Sequence, residues 1–255
     1  MPRDFTFEMY RDLCSTILSS GFLTTTVNDF LIKPSDNTKR LILRHDVDSL
    51  PKQALEMAII ESEFNIKSTY YFRIKNSVFD KKIIKKIYNL GHEIGYHYEV
   101  LASNKGDKKK ALNEFKINLG KFREISPITT ICMHGSPLSS WTDSDLWLDN
   151  NFRDYGILGE AFLSINYNSV RYFTDTGRRW NGNKYNVRDK VSSRLKNIDV
   201  KSTKDLIEIL PTLLTDISLN IHPQRWHSSY SGWLWENISQ NIKNIGKRYL
   251  LRRNN

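Results

Sequence analysis

The chain has 255 residues, 39% of them hydrophobic and 12% aromatic, with a net charge of +10. Such a length and composition exclude a disordered chain and suit one domain with a sizeable core. Cys14 and Cys132 lie far apart with no CxxC spacing, and no apolar run approaches the roughly 20 residues of a membrane span, so a disulfide scaffold and a transmembrane protein are excluded too.

The elements alternate along the chain. Phe5–Ser19 has the spacing of an amphipathic helix, ended by Gly21. Leu41–His45 is an apolar strand, and Pro51–Phe64 a helix with Ser49 as its expected N-cap. Ser68–Ile74, rich in Tyr and Phe, is a strand. Lys81–Leu90 is a basic amphipathic helix stopped by Gly91, and Glu93–Tyr98 is a strand. Lys108–Phe122 is a helix and Thr129–Met133 a strand. Residues 136–168 are less regular and hold a short helix and a strand. Val170–Thr174 is a strand, and 181–193 a polar loop with a turn at Asn181-Gly182-Asn183. Asp205–Leu214 is a helix despite Pro211, and Ile217–Ile221 is the last strand. From Ser231 onward Trp235, Ile238, Ile242, Ile245 and Tyr249 recur at helical spacing. Alternating strands and helices predict an α/β fold with a mostly parallel sheet and helices outside.

Several strands end in residues that carry chemistry. His45-Asp46-Val47-Asp48 closes the first. Side chains alternate along a strand, so Asp46 and Asp48 share one side and His45 takes the other. Two adjacent carboxylates repel unless their roles are separated, one holding a divalent ion while the other stays free as a general base. In Gly91-His92-Glu93-Ile94-Gly95-Tyr96-His97-Tyr98-Glu99, alternation puts His97 and Glu99 on one side and His92 on the other. His97 is then a metal-ligand candidate, and His92 a structural histidine. Met133-His134-Gly135-Ser136-Pro137, Thr174-Asp175-Thr176-Gly177-Arg178-Arg179-Trp180 and Asn220-Ile221-His222-Pro223 repeat the pattern. Catalytic groups at strand C-terminal ends are what a β/α barrel uses, because every strand end opens onto one mouth.

These segments resemble the polysaccharide deacetylases of carbohydrate esterase family 4, the family of the rhizobial chitooligosaccharide deacetylases, and within it a branch near bacterial polysaccharide biosynthesis proteins of the WbmS type. The resemblance runs from about Lys39 to His227. It implies a distorted (β/α) barrel of seven or eight mostly parallel strands. The parts are an N-terminal helix and extension (1–38), a catalytic barrel (39–227) and a basic amphipathic C-terminal helix (228–255), together one domain. It also implies a metal-dependent hydrolase that removes an N-acyl group, N-acetyl above all, from a sugar or glycan precursor. Asp46 matches the catalytic base, Asp48 and His97 match metal ligands, and His222 matches the catalytic acid. The family's second metal histidine falls at Leu101, which ligates nothing. His134 or Glu99 is the replacement ligand for a divalent ion, zinc above all. Asp175 is the expected carboxylate partner of His222. Arg178 and Arg179 are candidates for phosphate binding, and Trp180 and Trp226 for stacking on a sugar ring. Leu101 keeps a metal-free glycan-binding descendant open, and the scaffold keeps other C–N hydrolysis open.

The start Met1-Pro2-Arg3-Asp4 shows no secretory signal, so a cytoplasmic location is expected. The expected partner is a carbohydrate, a nucleotide-linked or lipid-linked N-acyl sugar. Lys81, Lys82, Lys85, Lys86 and the tail with Lys243, Lys247, Arg252 and Arg253 read as solvated helix faces or as attraction to an anionic partner. No motif supports nucleic-acid binding. The C-terminal helix is a candidate for peripheral membrane contact.

Overall fold

The computed structural model of the chain describes residues 3–33, 38–180 and 191–253, with side chains as far as Gly246 in the last helix. The turn expected at 181–183 lies outside the described residues, as do the side chains of Lys247, Tyr249, Arg252 and Arg253.

Eight strands form one sheet: β1 (Leu23–Thr25), β2 (Arg40–Val47), β3 (Thr69–Phe72), β4 (Glu93–Tyr98), β5 (Thr130–Met133), β6 (Gly159–Glu160), β7 (Val170–Thr174) and β8 (Asp216–Ile221). The order is β6-β5-β4-β3-β2-β8-β7, and every pairing is parallel. β1 takes the edge of β2 over Arg40–Ile42, and β3 takes it over Arg44–Val47. The backbone N–H of Val27 closes that seam by donating to Thr69 Oγ1 at 2.8 Å.

The sheet curls. One buried cluster joins Ile42 of β2, Tyr71 of β3 and Cys132 of β5 to Ala161, Ile165 and Val170 at the far ends. Among the described residues β6 and β7 do not pair, so the barrel is open there. Inside it Gly95 meets the Tyr71 ring, and an added Cβ would lie 2.2 Å from that ring. A side chain at 95 would displace Tyr71, which shares a hydrogen bond of 2.9 Å with Thr130.

Helices α1 (Phe7–Ser19), α3 (Pro51–Glu63), α4 (Lys81–Asn89), α6 (Lys108–Arg123) and α7 (Thr203–Ile209) coat the outside, and α2 (Val27–Ile32), α5 (Val100–Ser103) and α8 (Tyr230–Arg253) complete the set. Side-chain caps start most of them: Thr6, Thr26, Asp80 and Asp107 each accept from a first-turn N–H, and Ser202 with Asp205 forms a capping box. Ser49 does not cap α3. The chain enters it through Leu50 at φ 51 with Pro51 in the first turn, and no side chain caps it. Pro211 ends α7 early, and a 3-10 turn follows at Leu210–Thr212. β1, α2 and α5 were not expected from sequence, being too short to show a period.

The outer face of the sheet carries a buried polar group. Glu61 on α3 accepts from Ser68 Oγ at 2.6 Å, from Tyr70 at 2.8 Å and from Tyr10, and meets His45 Nε2 at 2.5 Å. Burial alone would raise its carboxyl. His45, with His92 and Ser68, outweighs that and holds it down to about 2. His92 Nε2 also meets the Ala58 carbonyl at 3.1 Å.

The folded value lies below the ordinary 4.5, so the contribution of Glu61 is complete above pH 4.5 and is lost as pH falls towards 2. Urea unfolding of the metal-free protein from pH 7 to 3 is expected to show a steeper loss of stability in the native chain than in Glu61→Gln. Equal slopes would show that the carboxylate contributes nothing to the pH dependence.

Candidate metal and acid-base site

Alternation on β2 sends Arg44, Asp46 and Asp48 into the barrel. Matching positions of the neighbours, Tyr71 and Arg73, Gly95 and His97, Cys132 and His134, and Asn220 and His222, meet them at one end of the sheet. Asp48 Oδ1 is buried and accepts no hydrogen bond, and Arg73 forms an ion pair with it at 3.8 Å. His97 Nε2 and His134 Nε2 each stand 3.5 Å from it. Ligand atoms around a tetrahedral zinc with bonds near 2.1 Å are spaced at about 3.4 Å. Each nitrogen is at that spacing from Asp48 Oδ1, but the three atoms do not all lie within 4.8 Å of one another.

Their outer contacts turn them inward. The Nδ1–H of His97 donates to the Cys132 carbonyl at 3.0 Å, which leaves Nε2 free. His134 Nδ1 accepts from the Ser136 N–H at 3.3 Å and meets Ser136 Oγ at 3.0 Å, so in the neutral ring the proton sits on Nε2. Gln224 Nε2 donates to Asp48 Oδ2 at 3.1 Å. Burial acts to raise Asp48, but His97, His134 and His222 hold it well below the usual carboxylate range. Burial pushes His134 down to about 4, so the ring is neutral at neutral pH, and a metal at Nε2 would displace the proton held there.

Leu101 and Glu99 stand differently. Leu101 packs into the outer core, and its N–H donates to Asp143 at 2.8 Å. Glu99 lies 3.4 Å from His134 Nδ1, but its oxygens already pair with Arg73 and, at 3.3 Å, with Lys75. A second donor group overlaps the first. Asp46, His97 and Cys132 present ligand atoms within 4.8 Å of one another, a buried set able to hold a metal ion. Asp46 is the less available of the two carboxylates. Its Oδ2 accepts from Arg44 at 3.0 Å and from Asn220 at 2.9 Å. Its Oδ1 faces the Cys132 thiol at 3.9 Å. Burial acts to raise Asp46, and Arg44 with His97 and His222 reverses that to a lowered value.

Across the mouth, His222 Nδ1 lies 2.7 Å from Asp175 Oδ1, and its backbone N–H donates to Asp175 Oδ2 at 3.0 Å. Arg225 pairs with the same carboxylate, and Trp226 Nε1 donates to it at 3.1 Å. Burial acts to raise Asp175, and Arg225 with His222 holds it below the usual range.

The structure thus gathers Asp46, Asp48, His97, His134, Asp175 and His222 at one mouth. Of the residues expected to bind sugar or phosphate, Trp180, Trp226 and Arg178 are buried and engaged elsewhere. Trp226 is fully buried and packed edge-on by Phe5 and Tyr10, so neither ring face is open to a sugar. Trp180 is buried against Phe5 and donates to Thr203 at 3.0 Å. Arg178 donates to the carbonyls of Trp233, at 3.0 Å, and Asp4, at 3.3 Å, so it ties the two chain ends together instead of binding phosphate. Arg179 is exposed. Sequence reading missed Arg44, Arg73, Cys132, Asn220, Gln224 and Arg225. For Cys132 and Asn220 a signal existed, since each lies two residues before a site histidine on one strand.

No family model and no curated protein matches the chain. Among solved structures, a family 4 carbohydrate esterase from Bacillus anthracis aligns at a TM-score of 0.42 and 13% identity, over 96% of this chain and 91% of that one.

Outer-shell partners of a metal are worth about 10–100-fold in affinity, and a direct ligand more. Zinc titration of purified variants is expected to show loss of binding in Asp48→Ala with the fold retained. His134→Ala should weaken binding by more than about 100-fold, and Glu99→Gln by less. Full zinc occupancy in Asp48→Ala, or the reverse order of the other two, would reject this ligand set.

Proposed function

We propose that the chain is a metal-dependent hydrolase that removes an N-acyl group from a sugar, with Asp48, His97 and His134 holding the ion. The observation that carries this reading is Asp48 Oδ1, buried without a hydrogen bond and faced at 3.5 Å by two histidine nitrogens beside a second carboxylate, with Arg73 at 3.8 Å. The resemblance of Arg44–Asp48 and Gly91–His97 to the family 4 deacetylase motifs supports the substrate class.

A divalent ion bound there supplies Lewis-acid polarisation of the acyl oxygen and of a water. Asp46 is the general base. Arg44 and Asn220 occupy its Oδ2 and keep it ionised, so Oδ1 is the oxygen left to take the water's proton. His222 is the general acid that protonates the departing amine. Asp175 engages Nδ1 and the backbone N–H of His222, which fixes the ring and leaves Nε2 for the transfer. Arg225 and Trp226 hold Asp175 in turn. The substrate is a nucleotide-linked or lipid-linked N-acyl sugar of surface polysaccharide synthesis.

Amine release from a panel of N-acetylated nucleotide sugars and lipid-linked glycans, with the protein zinc-loaded, tests this. Asp46→Asn is expected to keep zinc and lose roughly 10²–10⁴ in turnover, as for loss of a general base. Undiminished turnover in Asp46→Asn would remove the base from this residue. No release from any N-acyl sugar by a zinc-loaded protein would reject the reading.

A further inference from the structure

Helix α8 is turned the opposite way from a helix that seals a core. Its buried positions among the described residues are polar. Gln240 and Asn244 are each 5% exposed, Gln240 Nε2 donates to Asn244 Oδ1 at 2.8 Å, and Asn244 Nδ2 donates to the Gly177 carbonyl at 2.9 Å. Four apolar side chains among its described residues stand outward: Trp235 is 74% exposed, Ile238 48%, Ile242 66% and Ile245 69%. Steps of three, four and three residues put these four on one face. A contiguous apolar face of this kind on a soluble chain marks a contact surface.

Charge identifies the partner. The sequence of α8 holds five basic residues and a single acid, Glu236. Lys243, between Ile242 and Ile245 on the helix, is exposed. A second copy laid against this face would bring two cationic helices together, and like charges repel. An anionic lipid surface matches both features. It attracts the lysines and arginines, takes in the isoleucines at the boundary of headgroup and acyl chain, and suits an indole such as Trp235 at the interface. No helix among the described residues is long and apolar enough to cross a membrane, which fits a helix that lies on the surface.

We propose that α8 docks the protein on an anionic membrane surface through Trp235, Ile238, Ile242 and Ile245. α8 is anchored to the turn after β7, through Gly177 and Arg178, two to three residues beyond Asp175. The binding itself stands independently of the proposed activity.

Sedimentation of the full chain with phosphatidylglycerol vesicles at low salt, against phosphatidylcholine vesicles, tests this. Binding is expected to the anionic vesicles, to fade as salt rises, and to weaken about tenfold or more in the doubly substituted Trp235→Ala, Ile242→Asp chain. Both side chains are solvent-facing, and circular dichroism checks that this variant keeps its fold. The intact chain alone decides the first arm. Failure to sediment with anionic vesicles at low salt, equal binding to both lipids, or binding unaffected by the substitutions would overturn the proposal. A dimer by light scattering that the substitutions dissociate, without vesicle binding, would assign the face to a second copy.

Discussion

Strand β2 is the constraint on which the rest depends. It is paired along both edges, to β8 over Leu41–His45 and to β1 and then β3 on the other side. A one-residue slip would exchange the two faces of every side chain on it. Arg44 and Asp46 would leave the barrel, and Leu43, His45 and Val47 would enter it. Since each face meets a different environment, apolar helices outside and a polar mouth inside, no second register satisfies both.

The fold handles its buried charge by pairing it on each side of that strand. Outside, Glu61 collects His45, Ser68 and two tyrosines. Inside, Arg44 meets Asp46, and Arg225 meets Asp175. Unpaired charges in such surroundings cost several kcal/mol each, so most are matched. Asp48 Oδ1 is the carboxylate oxygen left without a hydrogen bond among the described buried atoms, and it lies between two imidazoles. Arg73 stands 3.8 Å from the same oxygen, so its charge is matched although no hydrogen bond reaches it.

The same accounting separates the two ends of the chain. Phe5 and Trp226 pack against Tyr10 of α1 in the outer layer, and Arg178 fastens Asp4 to Trp233. The terminal segments therefore brace the β7–β8 end of the mouth, where Asp175 and His222 sit. α8 then continues past it with its apolar side free.

What the sequence determined by itself was the local geometry. Alternation and helical spacing depend on neighbouring residues only. They located most of the strands and helices, the parallel α/β class, and the shared side of Asp46 and Asp48. What only the tertiary structure decided was which distant partner captures each side chain. Arg178 and Arg225 are alike in sequence, yet one is spent on backbone carbonyls and the other reaches Asp175. Trp180 and Trp226 flank site segments, yet their rings fill an outer core shared with Phe5. Glu99 follows His97 on one face, but Arg73 and Lys75 from the β3 end claim its oxygens, and His134 from β5 faces Asp48 instead. Such choices are set by register and curl between strands far apart in the chain. No local period records them.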